Sequence, residues 1–126
     1  MPGKRILLVD DEKDFVEGLG ERMRIRGFDI ETAVSAKRAV QMVREKAFDV
    51  IVLDLNMPEM DGLETLKLLK ENNPDIHVIL LTGYATAEKG IRAMLSGAEE
   101  VLEKPSHIED LIRKIEKVAT RKMVKV

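Results

Sequence analysis

The chain has 126 residues, with 21 Lys and Arg against 23 Asp and Glu, for a formal net charge of −2. That length builds one domain with its own core and is too short for two of ordinary size. The absence of cysteine excludes disulfide frameworks, thiolate zinc sites and cysteine nucleophiles, and balanced charge with three Phe, one Tyr and no Trp argues against nucleic-acid binding by bulk electrostatics or base stacking. The opening residues carry no signal-peptide core and no apolar run is long enough to span a bilayer, so a cytoplasmic protein without a membrane partner is expected. Without repeats or a Gly/Ser/Pro linker, residues 1–120 read as one domain and 121–126 as a short basic tail, which could also be the start of a linker.

Ile6, Leu7, Leu8 and Val9 form an apolar run suited to a strand covered on both faces, and Asp10-Asp11-Glu12 follows at once. Phe15, Val16, Leu19 and Met23 then recur at helical spacing, and Gly27 stands where a left-handed residue ends a helix. Gly18 and Gly20 lie inside this helical pattern and read as close packing or chance. Residues 28–32 alternate like a half-exposed strand, after which Ser35 opens a helix striped with Ala36, Ala39, Val40, Val43 and Ala47. A second apolar run, Val50-Ile51-Val52-Leu53, delivers Asp54 to its end.

Leu63, Leu66 and Leu69 make a short helix closed by Asn72-Asn73-Pro74-Asp75. Residues 76–81 return to the strand pattern, interrupted by His77, and deliver Thr82-Gly83. A helix striped with Ala87, Ile91, Met94, Leu95 and Ala98 precedes a short fifth strand within 97–103, which delivers Lys104-Pro105. Ser106 caps a last helix with Ile108, Leu111, Ile112, Ile115 and Val118 on one side.

Five strands alternating with five helices require crossovers, hence a parallel sheet with helices on both faces: a doubly wound α/β domain. The dinucleotide fold is disfavoured, because its Gly-x-Gly-x-x-Gly turn should follow the first strand, where Asp10-Asp11-Glu12 would repel a pyrophosphate. No Walker loop is present.

Parallel strands end at one edge, so Asp10, Asp11, Asp54, Thr82 and Lys104 can converge on one crevice. Crowded carboxylates call for a neutralising cation, and Mg²⁺ fits an oxygen-only donor set that leaves positions for phosphate oxygens. With a lysine charge and a threonine hydroxyl added, the set suits phosphoryl transfer, with Asp54 as the nucleophile. Taken singly, Asp10, Asp11 and Asp54 could be caps, Thr82 a turn residue and Lys104 surface charge. Their joint placement at one edge favours the chemical reading.

These residues resemble the receiver domain of two-component response regulators, of the chemotaxis-regulator, flavodoxin-like fold. Asp10-Asp11, Asp54-Leu55-Asn56-Met57-Pro58 with Asp61-Gly62, Thr82-Gly83 and Lys104-Pro105 match its pattern in order, and the resemblance runs from Lys4 to about Ala119. The resemblance implies strand order 2-1-3-4-5. It implies that Asp54 accepts a phosphoryl group from the phosphohistidine of a histidine kinase or histidine phosphotransfer protein. Asp11 and Asp54 would bind Mg²⁺ with the backbone carbonyl of Asn56, and Asp10 would act through water. Lys104 would pair with the phosphoryl group, Thr82 would reach it on switching, and Lys104-Pro105 would be a cis peptide. Asn56 and Tyr84 would tune dephosphorylation.

One position departs from the family. Val101 stands three before the lysine, where Tyr or Phe is usual and turns together with the threonine; a β-branched valine cannot swing as a ring does. The usual output route through the fourth helix, fifth strand and fifth helix is therefore not carried over. The expected function is a phosphoacceptor switch rather than an enzyme acting on other substrates, passing its signal to an output domain or protein, with a phosphorylation-linked homodimer left open. Two other readings stand beside it: a degenerate receiver that binds partners without phosphorylation, and an aspartyl-nucleophile phosphatase. The second is disfavoured because no cap domain fits. His77 and His107 read as structural, and the seven Met residues as core filling.

Overall fold

The computed structural model describes residues 4–55, 57, 62–83, 97–98, 100–103 and 108–124. Its elements run β1 (Arg5–Val9), α1 (Lys13–Ile25), β2 (Asp29–Ala33), α2 (Ala36–Glu45), β3 (Val50–Asp54), α3 (Gly62–Asn72), β4 (His77–Thr82), β5 (Glu100–Glu103) and α4 (Ile108–Val124). The expected helix striped with Ala87, Ile91, Met94 and Leu95 lies outside the described residues, as does the Ser106 cap. The strands form one sheet in the order β2-β1-β3-β4-β5, with every neighbouring pair parallel. That is the order the resemblance implied.

The apolar runs supply both faces of this sheet because alternate residues point to opposite sides. Leu7, Val9, Ile51, Leu53, Val78 and Leu80 pack with Ala39, Met42 and Val43 of α2 and Leu66 and Leu69 of α3. Ile6, Leu8, Val50, Val52, Ile79 and Leu81 pack with Val16, Leu19 and Met23 of α1 and Leu111, Ile112, Ile115 and Val118 of α4. All five residues of β3 are buried, as befits the central strand. Each of the large side chains contributes about 2 kcal/mol on burial, so the two faces outweigh any single polar contact in holding the fold.

Helix ends follow local chemistry. Ser35 Oγ accepts a hydrogen bond from Arg38 N–H at 3.1 Å, as an N-cap does. Gly27 has φ 96° and donates to Arg24 C=O at 2.9 Å, closing α1 through a backbone conformation that favours glycine. Within α1, a Cβ on Gly20 would come 3.3 Å from Ile30 Cγ2, so this glycine lets the helix lie close to β2, whereas Gly18 has no such neighbour. Two arginines tie α1 to α4: Arg22 bonds Glu109 at 3.1 Å, and Arg26 bonds both Glu109 and, at 3.0 Å, Glu116.

Two details correct the sequence reading. Ala47 is exposed and does not extend the α2 stripe, because Lys46 adopts an extended conformation (φ −136°, ψ 152°) and ends the helix at Glu45. Met42 and Phe48 fill that part of the core instead. The second concerns an alternative only: the N-cap of α1 is Glu12, without a side-chain cap bond, so the capping reading of Asp10 or Asp11 taken singly does not hold.

Candidate functional site

The pairing register sets the acids side by side. Val9 pairs with Leu53, so Asp10 leaves β1 next to the place where Asp54 ends β3. Asp10 continues the alternation of Ile6 and Leu8, and Asp54 that of Val50 and Val52, which places both on the α1 side of the sheet. The backbone holds each end in place: Asp10 N–H donates to Ala33 C=O at 3.1 Å and Leu55 N–H to Leu81 C=O at 2.8 Å, each extending a ladder by one bond. Asp10 Oδ1 accepts from Glu12 N–H at 2.9 Å, which turns the chain from β1 into α1.

Asp10 and Asp54 are 2% and 1% exposed, so two carboxylates sit in the protein interior. Asp11 is exposed. One oxygen from each of Asp10, Asp11 and Asp54 lies within 4.8 Å of the other two. A hard cation bonded at about 2.1–2.4 Å to opposite oxygens holds them about 4–5 Å apart, so the spacing and the all-oxygen donor set both fit a divalent metal. Three acids gathered this closely, two of them buried, repel one another unless a positive charge joins them.

Thr82 closes β4, one residue past the Asp54–Leu81 pair, and is 2% exposed. It stands level with Glu103, the last residue of β5. Four of the expected site residues, Asp10, Asp11, Asp54 and Thr82, thus end neighbouring strands at one edge. Asn56, Lys104 with its peptide to Pro105, Tyr84 and Asp61 lie outside the described residues. Val101 is half-buried and packs against the core on the α2 and α3 face.

The reading of the methionines as core filling holds for one residue beside the site, whose place there it did not single out. Met57, three past Asp54, is 2% exposed and belongs to the core on the α2 and α3 face, against which Leu55 also packs. The signal was present: Ile51, Leu53, Leu55 and Met57 keep the two-residue period of β3 beyond the end of the strand.

A parallel sheet of order 2-1-3-4-5 with helices on both faces and acids past its first and third strands defines the flavodoxin-like class of fold that chemotaxis regulators share. Residues 6–116 match the family described as the response regulator receiver domain, and the chain belongs to that family: it is a receiver domain of a two-component response regulator, a signalling domain. The transcriptional regulatory protein ZraR of Escherichia coli (strain K12) is 38% identical over 112 residues, 89% of this chain and 25% of ZraR. The chain therefore spans about a quarter of that relative's length.

Among solved structures, a response regulator from Burkholderia pseudomallei with a phosphorylated aspartic acid, calcium ion and citrate superimposes with a TM-score of 0.82 at 27% identity, covering 95% of this chain and 71% of that one. The beryllofluoride-activated NtrC4 receiver domain dimer, solved in solution, gives 0.84 at 36% identity, covering 94% and 97%. No helix among the described residues is long and apolar enough to cross a membrane.

Proposed function

We propose that Asp54 is the phosphoryl acceptor of this receiver, taking the group from a phosphohistidine of a histidine kinase or histidine phosphotransfer protein. The observation that carries this reading is the meeting of Asp54 with Asp10 and Asp11 at the end of the central strand, buried and within cation-bridging distance. A carboxylate oxygen of Asp54 attacks phosphorus, the P–N bond to the donor imidazole breaks, and the bond's electrons leave with the ring nitrogen, giving an acyl phosphate on Asp54. The response regulator from Burkholderia pseudomallei, which carries a phosphorylated aspartic acid, supports the same chemistry here.

Asp10, Asp11 and Asp54 have the spacing to hold a metal; as in the family, Asp11, Asp54 and the Asn56 backbone carbonyl would bind it, and Asp10 would act through water. When bound, Mg²⁺ supplies positive charge against the transferring oxygens. Mg²⁺ is preferred to Ca²⁺ because few protein ligands converge and phosphate oxygens need open positions. Asp10 turns the chain so that Asp11 reaches the pocket mouth, and the burial of Asp54 limits water at the acceptor. Lys104 pairs with the phosphoryl oxygens, and Thr82 donates its hydroxyl to them when the domain switches.

The protein catalyses its own phosphorylation and dephosphorylation only, acts in the cytoplasm and signals to an output domain or protein. Residues 1–120 form the receiver, with a fifth helix between β4 and β5, and 121–126 form a short basic tail whose first residues continue α4 to Val124. The NtrC4 receiver dimer supports a phosphorylation-linked homodimer here.

The test is labelling with acetyl phosphate and Mg²⁺, comparing the wild type with Asp54→Asn. One alkali-labile phosphoryl group per chain, lost in the variant, is expected. Sustained hydrolysis of phosphate esters would establish a phosphatase instead, and no label on the wild type would leave a phosphorylation-independent binding module.

A further inference from the structure

We propose that Met57 is a positioning residue for the phosphoryl acceptor and its metal, tying the core between α2 and α3 to the segment that leaves Asp54; this rests on the function proposed above. β3 ends at Asp54, yet its apolar alternation does not. Ile51 and Leu53 lie in that core as strand residues, and Leu55 and Met57 continue on the same side after the strand. Leu55 is also held by its hydrogen bond to Leu81 C=O at 2.8 Å.

The chain is therefore held at Leu55 by the sheet ladder and at Met57 by near-complete burial in the core cluster that also takes in residues of β3, α2 and α3. Asp54 adjoins the first of these anchors. A residue fixed by packing holds its neighbours' backbone within a few tenths of an ångström, because close-packed interiors do not deform continuously. Groups that orient metal ligands without touching the metal typically govern affinity by about 10- to 100-fold. Met57 needs no polar contact to have this role; its unbranched thioether fills the irregular space where a loop leaves a strand.

Truncation at Met57 should thus weaken the site more than it weakens the fold. The measurement is Mg²⁺ affinity by isothermal titration on the full chain, with acetyl phosphate labelling rate and thermal midpoint alongside. Met57→Ala is expected to lower Mg²⁺ affinity about tenfold and to slow labelling. Met57→Leu, which keeps the volume, should restore both. Leu69→Ala removes a side chain from the same cluster on α3, away from Asp54, and serves as the control. It should lower the thermal midpoint comparably and leave Mg²⁺ affinity within about twofold, the additive expectation for a distant site.

Unchanged affinity in Met57→Ala, or an equal loss in Leu69→Ala, overturns the proposal. If Met57→Ala does not fold, Met57→Val provides the same comparison with a smaller truncation. Failure of the wild type to bind Mg²⁺ or accept a label would instead overturn the acceptor function itself.

Discussion

Acids stand at both edges of the sheet, in opposite company. At the edge where the strands begin, Asp29 meets Arg5 Nε at 3.1 Å, and Asp49 accepts the Arg5 backbone N–H at 2.9 Å. At the edge where the strands end, Asp10, Asp11 and Asp54 meet each other. The first arrangement neutralises or satisfies each acid where it lies and stitches strand starts together. The second gathers three acids, two of them buried, within reach of a single cation. One residue type thus joins strand starts at one edge and builds a candidate metal site at the other, and the neighbours decide which.

This contrast can be broken edge by edge. The largest expected effect is from the metal: Mg²⁺ at about 100 times its Kd stabilises the wild type by about 2.7 kcal/mol, raising the thermal midpoint by about 10 °C, and Asp54→Asn should abolish most of that rise. Differential scanning calorimetry with and without Mg²⁺ reads the effect, and a rise retained in full by the variant would count against Asp54 as a metal ligand.

At the other edge, Asp49→Ala should destabilise the protein by about 1–2 kcal/mol by removing the acceptor of a backbone N–H, with no dependence on Mg²⁺. Urea titration at fixed pH measures this, and a Mg²⁺-dependent change would remove the distinction between the edges. Asp29→Asn should have the smallest effect, about 0.5 kcal/mol or less, because its ion pair with Arg5 is about half exposed and screened by salt. Repeating the titration in 1 M NaCl should erase even that difference.

Much of the fold could be read from residue order. Four-residue apolar runs at 6–9 and 50–53 can only be strands covered on both sides when helical patterns separate them. Because parallel strands finish at one edge, the same runs also indicate which acids meet there. The failures were local. The end of α2 at Glu45 has no Gly or Pro to mark it, so Ala47 looked like one more turn of the stripe until the extended Lys46 removed it from the helix. The cap alternative weighed for Asp10 falls away, since its carboxylate accepts from Glu12 N–H and Glu12 holds the cap position. Met57 was assigned to core filling in general; only its burial beside the strand end connects it to the acceptor.

Val101 is half-buried against the core on the α2 and α3 side, and its β-branched side chain is stiff at χ1, so the swing of an aromatic ring is not open to it.

The two sides of the sheet also differ in when they can close. During synthesis, the described residues of the core on the α2 and α3 side, with Val101 against them, all emerge before α4. The opposite core waits for Leu111 through Ala119, and the bonds from Arg22 and Arg26 to Glu109 and Glu116 join residues 83 to 90 positions apart. A nascent chain therefore leaves the part of the α1 side that α4 covers exposed until its final helix arrives. Such long-range closure is slow and exposes sticky surface, so the last helix governs solubility during folding as much as stability afterwards.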